Sequence, residues 1–436
     1  MQTVSTVPLD GNVSALAPNA DASSWLKRNG VALVCAMALF CASVLSKVSV
    51  PPFGDRGIGI ALFLLPVTAC VGFAAGLLSL HPVRLSLFLL LAGVLSITSL
   101  FGVAEFSVSS MAMFVVLHLP FVFAGNQVAR PDGRPPIHEF FLNLALVIGV
   151  CAMLQFFLQS VVPVRFLFPM ENFVPPAFVM QHFNSQGVLE YGSSTYRANG
   201  VFLPEPSYFS QLMGIAIVLE LCMQGRWLRL AIYSVALLTA GAGTGVMIVA
   251  VCVPLLLIRR GRWDLLLIGI AGIAAVAAFG SSTYVGHLAS RAGEFDAVGS
   301  SAFARFIGGF YLFDQFLWDD PLRTLFGFGA GSFSEYAGRA HYAVAEMPLF
   351  KMVLEFGVLG ALCYFLVLGY FLFSSPAPKI LVLAILIAFL LNGIYAVFGQ
   401  ALALGLLIWP FADTWRQRNA SFTPSVLGEN REGCPI

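Results

Sequence analysis

The chain has 436 residues, 58% of them hydrophobic and 10% charged, with a formal net charge of +1 and a mean hydropathy of +0.87. That is too apolar for a water-soluble globular protein and describes a polytopic membrane protein. The near-neutral balance excludes the basic excess with which a nucleic-acid binder neutralises phosphates, so no nucleic-acid partner is expected.

In chain order, the opening residues are rich in Ser, Ala, Thr, Asn and Pro, and 1–26 read as a disordered tail. Lys27 and Arg28 precede an apolar run from Gly30 to Val50 that lacks a cleavage site, which predicts an uncleaved first helix. A span takes about 20 mostly apolar residues. That criterion predicts helices near 30–50, 57–79, 83–102, 106–125 and 140–162, then 207–224, 228–241, 243–258, 263–280, 348–373, 380–396 and 398–413. TAGAGTGV (Thr239 to Val246) and the region of Asn392, Gly393 and Gly399 are either tight hairpins or breaks within longer helices. The expected fold is an all-α polytopic membrane protein with about twelve transmembrane helices. A single membrane domain covers 27–418, followed by a tail at 419–436.

Basic residues orient this bundle. With the N-terminus inside, inner loops receive Lys27, Arg28, Arg84, Arg130, Arg134, Arg226, Arg229, Arg259, Arg260, Arg262, Lys379, Arg416 and Arg418. Short outer loops receive little beyond Arg56, offset by Asp55, and Glu105. The asymmetry follows the positive-inside rule and predicts cytoplasmic termini. The two long loops, 163–206 and 281–347, then face outward. Seven of the eight cysteines lie in apolar runs and Cys434 in the tail, so no disulfide is expected.

The outer loops carry Arg165, Glu171, His182, Glu190, Arg197 and Glu205, then His287, Arg291, Arg305, Arg323, Arg339 and His341. Most such charges form a solvated surface, but two arginines stand in restricted settings. In RANGVFLPEPSYF, Gly200, Pro204 and Pro206 hold Arg197 close to the start of an apolar helix, at headgroup depth. In SAFARFIGGFYLFDQFLWDD, Phe303, Phe306, Phe310, Phe313 and Leu317 recur at helical spacing after Ser301 as N-cap. That is either an amphipathic helix on the membrane surface or a helix packed on the bundle, with Arg305 at its N-terminal end. Guanidinium is always charged and matches phosphate oxygens in a planar fork, so a pair of arginines here suits a diphosphate.

Other signals are structural or negative. GFGAGSF (Gly327 to Phe333) has the look of a nucleotide loop, but no strand precedes it and no soluble domain surrounds it. The histidines lack metal-ligand spacing, so neither metal nor cofactor is expected. Lys351 and Glu355 share a helix face, either neutralising each other or lining the outer cavity. Asn143, Gln155, Gln159, Gln211, Asn392 and Gln400 are candidates for interhelical hydrogen bonds.

Two stretches carry a resemblance. RANGVFLPEPSYF is similar to the Arg, Gly, Phe, Glu-Pro-Ser pattern of Wzy-type polysaccharide polymerases. The run from SAFARF through DDPLRTLFGFGAGSF to LFKMVLEFGVLG resembles the signature of the wider O-antigen ligase and polymerase superfamily. The resemblance implies a glycosyltransferase on the periplasmic side of the bacterial inner membrane, acting on undecaprenyl-diphosphate-linked glycans as donor and acceptor. Expected partners include membrane lipid, a chain-length regulator and export machinery. Arg197 and Arg305 match the two functional arginines of the pattern, with Arg323 and Arg339 as further diphosphate candidates and Ser207, Gly327, Gly329, Lys351 and Glu355 in support. Where ligases carry a His-Asn pair, this chain has Glu346 and Met347, a departure that favours a polymerase over a ligase.

The reaction needs charge stabilised on the departing diphosphate and a proton taken from an acceptor hydroxyl. Arginines meet the first need. Glu205 is the first candidate base, with Glu346 and His341 in reserve; the alternative for Glu205 is a salt bridge that orients Arg197. The rival class is a flippase or carrier, but a two-halved carrier has a long cytoplasmic link after its sixth span, and here that link is short. A non-catalytic scaffold of an export complex is the third reading.

Overall fold

The structure is a computed structural model. It describes residues 20–50, 58–102, 107–125, 135–180, 183–189, 194–223, 225–279, 293 and 295–411, with backbone alone for 20–28 and 272–279. Residues 1–19, the tail at 419–436, Asp55, Arg56, Glu105, Arg130, Arg134, His182, Glu190, His287, Arg291, Arg416, Arg418 and Cys434 lie outside the described residues.

Helices dominate the chain. The first five are α1 (Ala20–Ser43), α2 (Ile60–Ala74), α3 (Pro82–Phe101), α4 (Val108–His118) and α5 (Pro136–Phe157). The first long loop holds two short helices, α6 (Val164–Leu167) and α7 (Pro169–Phe173). Then come α8 (Pro206–Met223), α9 (Trp227–Thr239), α10 (Gly243–Arg259) and α11 (Trp263–Phe279). The second long loop carries α12 (Ser301–Phe306), α13 (Gly308–Phe316), α14 (Pro321–Phe326) and α15 (Phe333–Arg339), before α16 (Pro348–Phe373), α17 (Lys379–Leu390) and α18 (Val397–Ala403). Proline opens α3, α5, α8, α14 and α16, where its missing N–H has no helical partner to lose.

Among the described residues, four helices are long and apolar enough to cross a membrane, and several shorter apolar helices accompany them. The protein is an integral membrane protein. Within it α8 is central: 78% of its apolar window is buried, against 33% for α3. Two short antiparallel pairs, Ser49–Val50 with Ile58–Gly59 and Leu78–Leu80 with Phe123–Gly125, close loops that the hydropathy pattern had not marked as strands.

Several expectations are corrected. Helix α1 begins at Ala20, inside the stretch expected to be a tail. The second loop's amphipathic segment is two helices, because Ile307 (φ −117°, ψ −46°) interrupts it, and its N-cap is Ser300, whose hydroxyl accepts the Phe303 N–H at 3.0 Å. After that break Phe313 and Leu317 are buried while Phe310 turns outward. TAGAGTGV is a hairpin, turning through Gly241 at φ +53°.

The second ambiguous region is also a hairpin. A Cβ on Gly399 would stand 3.2 Å from the Cα of Phe389, and the Ser375 hydroxyl donates to the Leu407 carbonyl at 2.6 Å. Helix α17 is 12 residues long, roughly 18 Å at 1.5 Å per residue and well short of a 30 Å hydrocarbon core. It is shorter than the expected helix over 380–396 because the chain turns at Asn392 and Gly393. The hairpin tip is buried, with Asn392 and the α8 residue Gln211 exchanging amide hydrogen bonds at 2.7 and 3.3 Å.

Helix α16 kinks at Gly357 (φ +66°, ψ −177°). The kink lets the glycine-rich loop dock, so that the Phe328 and Gly329 N–H groups donate to the Leu354 and Glu355 carbonyls at 2.9 and 2.8 Å. A Cβ on Gly357 would overlap the Leu325 carbonyl oxygen, whereas one on Gly369, two turns past Leu362 on the same helix, meets nothing within 4 Å. Gly357→Ala is therefore expected to cost at least about 1–3 kcal/mol from its backbone conformation, and Gly369→Ala to stabilise by roughly 0.5–1 kcal/mol. Thermal melting of the detergent-solubilised variants checks both; equal melting temperatures would deny the loop docking its importance.

Candidate functional site

Arg197 is set in place by its backbone. Gln155, in the last turn of α5, and Gln159, in the 3-10 turn Leu158–Ser160 that continues it, hold the segment around it with their side-chain amides. Gln159 accepts from Tyr196 N–H at 2.7 Å and donates to the Tyr196 carbonyl at 2.9 Å. Gln155 accepts from the N–H groups of Asn199 and Gly200 at 2.9 and 3.2 Å and donates to the Asn199 side chain at 3.0 Å. These two glutamines bond the loop rather than another helix. The Arg197 N–H donates to the Gly187 carbonyl at 2.9 Å, and Ala198 N–H to Thr239 at the end of α9 at 3.1 Å.

Val201, four residues after Arg197, is held at φ +71°, a conformation a β-branched side chain rarely adopts. Its carbonyl accepts from the Lys47 ammonium at 3.0 Å. Lys47, 1% exposed, also pairs with Glu171. Burial lowers the Lys47 pKa from its ordinary value, and Glu171 beside it opposes that shift. Asn199 reaches the same carboxylate at 3.4 Å, so one polar network runs from Lys47, just past α1, through the first long loop to Asn199, two residues beyond Arg197.

Arg305, on α12, meets the same place from the second loop. Its guanidinium pairs with Glu205 at 3.4 Å, 100 residues away in sequence. The same carboxylate oxygen, Oε2, accepts from the Ser207 hydroxyl at 2.8 Å, while Oε1 has a marginal contact with Asn184 N–H at 3.5 Å. Arg197, Arg305, Glu205 and Ser207 line one cavity of about 480 Å³. Its floor is the small-residue turn Ala242, Gly243, Thr244, where α10 begins without a side-chain cap. The Arg197 methylenes pass 3.5 Å from where a Gly241 Cβ would be, and the helix end adds positive potential to that of the arginines.

Helices α8 and α10 can shape this floor because they touch backbone to backbone. A Cβ on Gly245 would overlap the Ser210 carbonyl. The Ser210 and Thr244 hydroxyls lie 2.9 Å apart, and Thr244 donates to the Ser207 carbonyl at 3.0 Å. Small residues and hydroxyls are the usual means of close helix approach inside a membrane.

The remaining sequence candidates lie in other contacts. Lys351, 3% exposed, bonds Glu346 at 2.6 Å and Glu355 at 2.7 Å, with the Tyr395 ring of the hairpin tip 4.7 Å away. Glu355 is fully buried and accepts the Phe333 N–H at 3.2 Å. The glycine-rich loop thus wraps the protein's own carboxylate. Gly327 and Gly329 shape that loop at φ +75° and +103°. Arg323 donates to the Gly102 carbonyl and lies 5.4 Å from the Phe328 ring. Arg339 pairs with Glu335 on its own short helix, and His341 is exposed in a bend beyond it.

A family model described as WcaD colanic acid polymerase matches residues 36–406, a stretch that contains both arginines, the cavity and the Lys351 cluster. The chain belongs to that family. No curated protein matches it closely enough to add to this assignment. The WcaD family is Wzy-type: its members polymerise lipid-linked repeat units into exopolysaccharide, so the chain is a membrane glycosyltransferase rather than a ligase, flippase or scaffold.

Sequence reasoning did not assign Lys47, Asn199, Ser210 or Thr244 to the site, and it read Gln155 and Gln159 differently. The spacing of the two glutamines was a usable signal, since side chains four apart on a helix can hold successive points of a neighbouring chain. Asn143, by contrast, accepts from Arg229 of α9 at 2.7 Å, an interhelical bond of the kind expected.

Removing the Lys351 ammonium would strand Glu355, whose side chain is fully buried, whereas Glu346 is partly exposed. Lys351→Met is expected to destabilise the protein by about 3–5 kcal/mol, seen as a lower melting temperature in detergent. An unchanged melting temperature would show that Glu346 and Glu355 do not need the ammonium.

Proposed function

We propose that the cavity between α8, α10 and α12 receives the diphosphate of an undecaprenyl-linked donor, on the periplasmic face of a bacterial inner membrane. The observation that carries this reading is the convergence of Arg197 and Arg305, from separate loops, on one cavity with Glu205. The orientation rests on the distribution of basic residues over about twelve apolar segments of a single membrane domain. The last two segments are the short hairpin α17–α18, which on its length turns within the membrane and returns to the side it left, so both termini remain cytoplasmic.

In the reaction, an acceptor hydroxyl oxygen bonds to the donor's anomeric carbon as the bond from that carbon to the diphosphate oxygen breaks. The polyprenyl diphosphate leaves with the electron pair, and the hydroxyl proton goes to a carboxylate. Arg197 and Arg305 stabilise the charge that collects on the diphosphate. Glu205 is the one carboxylate among the described residues lining the cavity. Its Oε2 orients Arg305 and is itself held by Ser207, which leaves Oε1 to take the proton. Arg323 and Arg339 are given no diphosphate contact, because their bonds run to Gly102 and Glu335. Glu346 is tied to Lys351 and stands behind Glu205 as a base.

Arg197→Ala and Arg305→Ala are expected to insert normally and to lose roughly 100-fold or more in rate, read as loss of the polymer ladder from purified lipid-linked repeat units supplied to reconstituted protein. Arg197→Lys is expected to be impaired as well, since an ammonium does not reproduce the planar fork. Ladders of normal length in either alanine variant would refute the diphosphate role.

Glu205→Gln retains the shape of the side chain but cannot accept the proton. A loss of about 100- to 10,000-fold in initial rate is expected, and a rate near wild type would transfer the base role away from Glu205.

A further inference from the structure

Helix α10 has two distinct faces. Thr244, Gly245, Ile248, Cys252 and Leu256 recur at helical spacing and are buried, on the side that packs against α8 and α17. On the opposite side Gly243, Val246, Met247, Ala250, Val251, Leu255 and Ile258 form an exposed stripe. From Gly243 to Ile258 it runs roughly 22 Å at 1.5 Å per residue, ending beside Arg259 and Arg260.

What distinguishes this stripe from ordinary lipid-facing surface is where it begins. Gly243, Val246 and Met247 belong both to it and to the wall of the cavity that holds Arg197 and Arg305. A Cβ on Gly243 would meet nothing within 4 Å, so the space beside it is open where the stripe meets the cavity. A lipid-linked repeat unit has the matching polarity: a diphosphate at one end and a long apolar polyprenyl chain that must remain in hydrocarbon.

We infer that the exposed stripe of α10 is the track along which the polyprenyl chain of the substrate lies while its diphosphate occupies the arginine cavity. The inference rests on the diphosphate reading of that cavity. Val246, Val251, Leu255 and Ile258 supply apolar contact along the chain, and Gly243 provides the gap through which it joins the diphosphate.

The test compares two probes with the full-length protein in detergent: undecaprenyl diphosphate and geranyl diphosphate, which have the same head and a long or a short tail. Val251→Trp and Leu255→Trp, both at outward positions that leave the core untouched, are expected to weaken binding of the long-chain probe roughly 10-fold and leave the short-chain probe unchanged. Leu89→Trp, at a 60% exposed position on α3, is expected to change neither. Wild-type binding of the long chain by both α10 variants overturns the track, as does an equal loss of both probes, or an equal loss in Leu89→Trp, which would assign the effect to bulk lipid. A changed oligomeric state in the α10 variants overturns it in favour of a second copy covering the stripe. Arg305→Ala is expected to weaken both probes alike; unchanged binding of both in that variant would sink the cavity reading itself, separately from the track.

Discussion

A lysine ammonium inside an apolar helix costs on the order of 3 kcal/mol on insertion scales unless it is matched, and at Lys351 the match organises much of the structure around the arginine cavity. Its two carboxylates come from different directions, Glu355 from one turn further along α16 and Glu346 from the segment leading into that helix. Glu355 in turn accepts the Phe333 N–H from the glycine-rich loop, and the Tyr395 ring brings in the hairpin tip. The neighbour of Glu346, Ala345, donates its N–H to the Ala304 carbonyl at 2.9 Å, one residue from Arg305. The chain of contacts from the buried ammonium to the arginine of the cavity is therefore short, and it runs through backbone.

The other arginine is held by a different device. Irregular backbone that is buried must find its hydrogen-bond partners within the protein. The segment around Arg197 finds them in the amides of Gln155 and Gln159, in the Gly187 carbonyl and at the end of α9. Lys47 and Asn199 hold Val201 in its left-handed conformation, from which the chain passes through Pro204 into α8. Each guanidinium thus stands on a fixed backbone, and preorganised charges of this kind need little rearrangement when charge develops on a substrate.

The membrane helices were legible because a run of apolar residues long enough to span is a strong, local signal; the bounds of α8, α10, α11 and α16 fall within a residue or so of the hydropathy reading. Local chemistry also pointed to Arg197 and Arg305, since glycines, prolines and aromatics around a cation are visible in one dimension. What sequence could not carry was pairing at a distance. The ion pair of Glu205 runs to Arg305 across 100 residues, whereas proximity along the chain had suggested Arg197. The break at Ile307 depends on tertiary contact as well, because Gly308 and Gly309 lie under the Ala343 carbonyl and the Phe350 ring. The glycine-rich loop illustrates a third limit: glycine spacing reports how closely a backbone must approach something, and here that something is the kinked helix α16 and its own Glu355.

The position of Glu205 between a hydroxyl and a guanidinium gives the proposed reaction an internal coupling. Before transfer, its carboxylate claims part of the charge of Arg305. As the glycosidic bond to the carrier breaks, the departing diphosphate gains a further negative charge, so the cavity interacts more strongly with the transition state than with the bound donor, as catalysis requires. If Glu205 takes the acceptor proton in the same step, its own charge disappears and its hold on Arg305 weakens, leaving more of the guanidinium's field for the diphosphate at the moment it is needed. One carboxylate then serves both half-reactions, and an aspartate or glutamine in its place would disturb proton transfer and leaving-group stabilisation together rather than either alone.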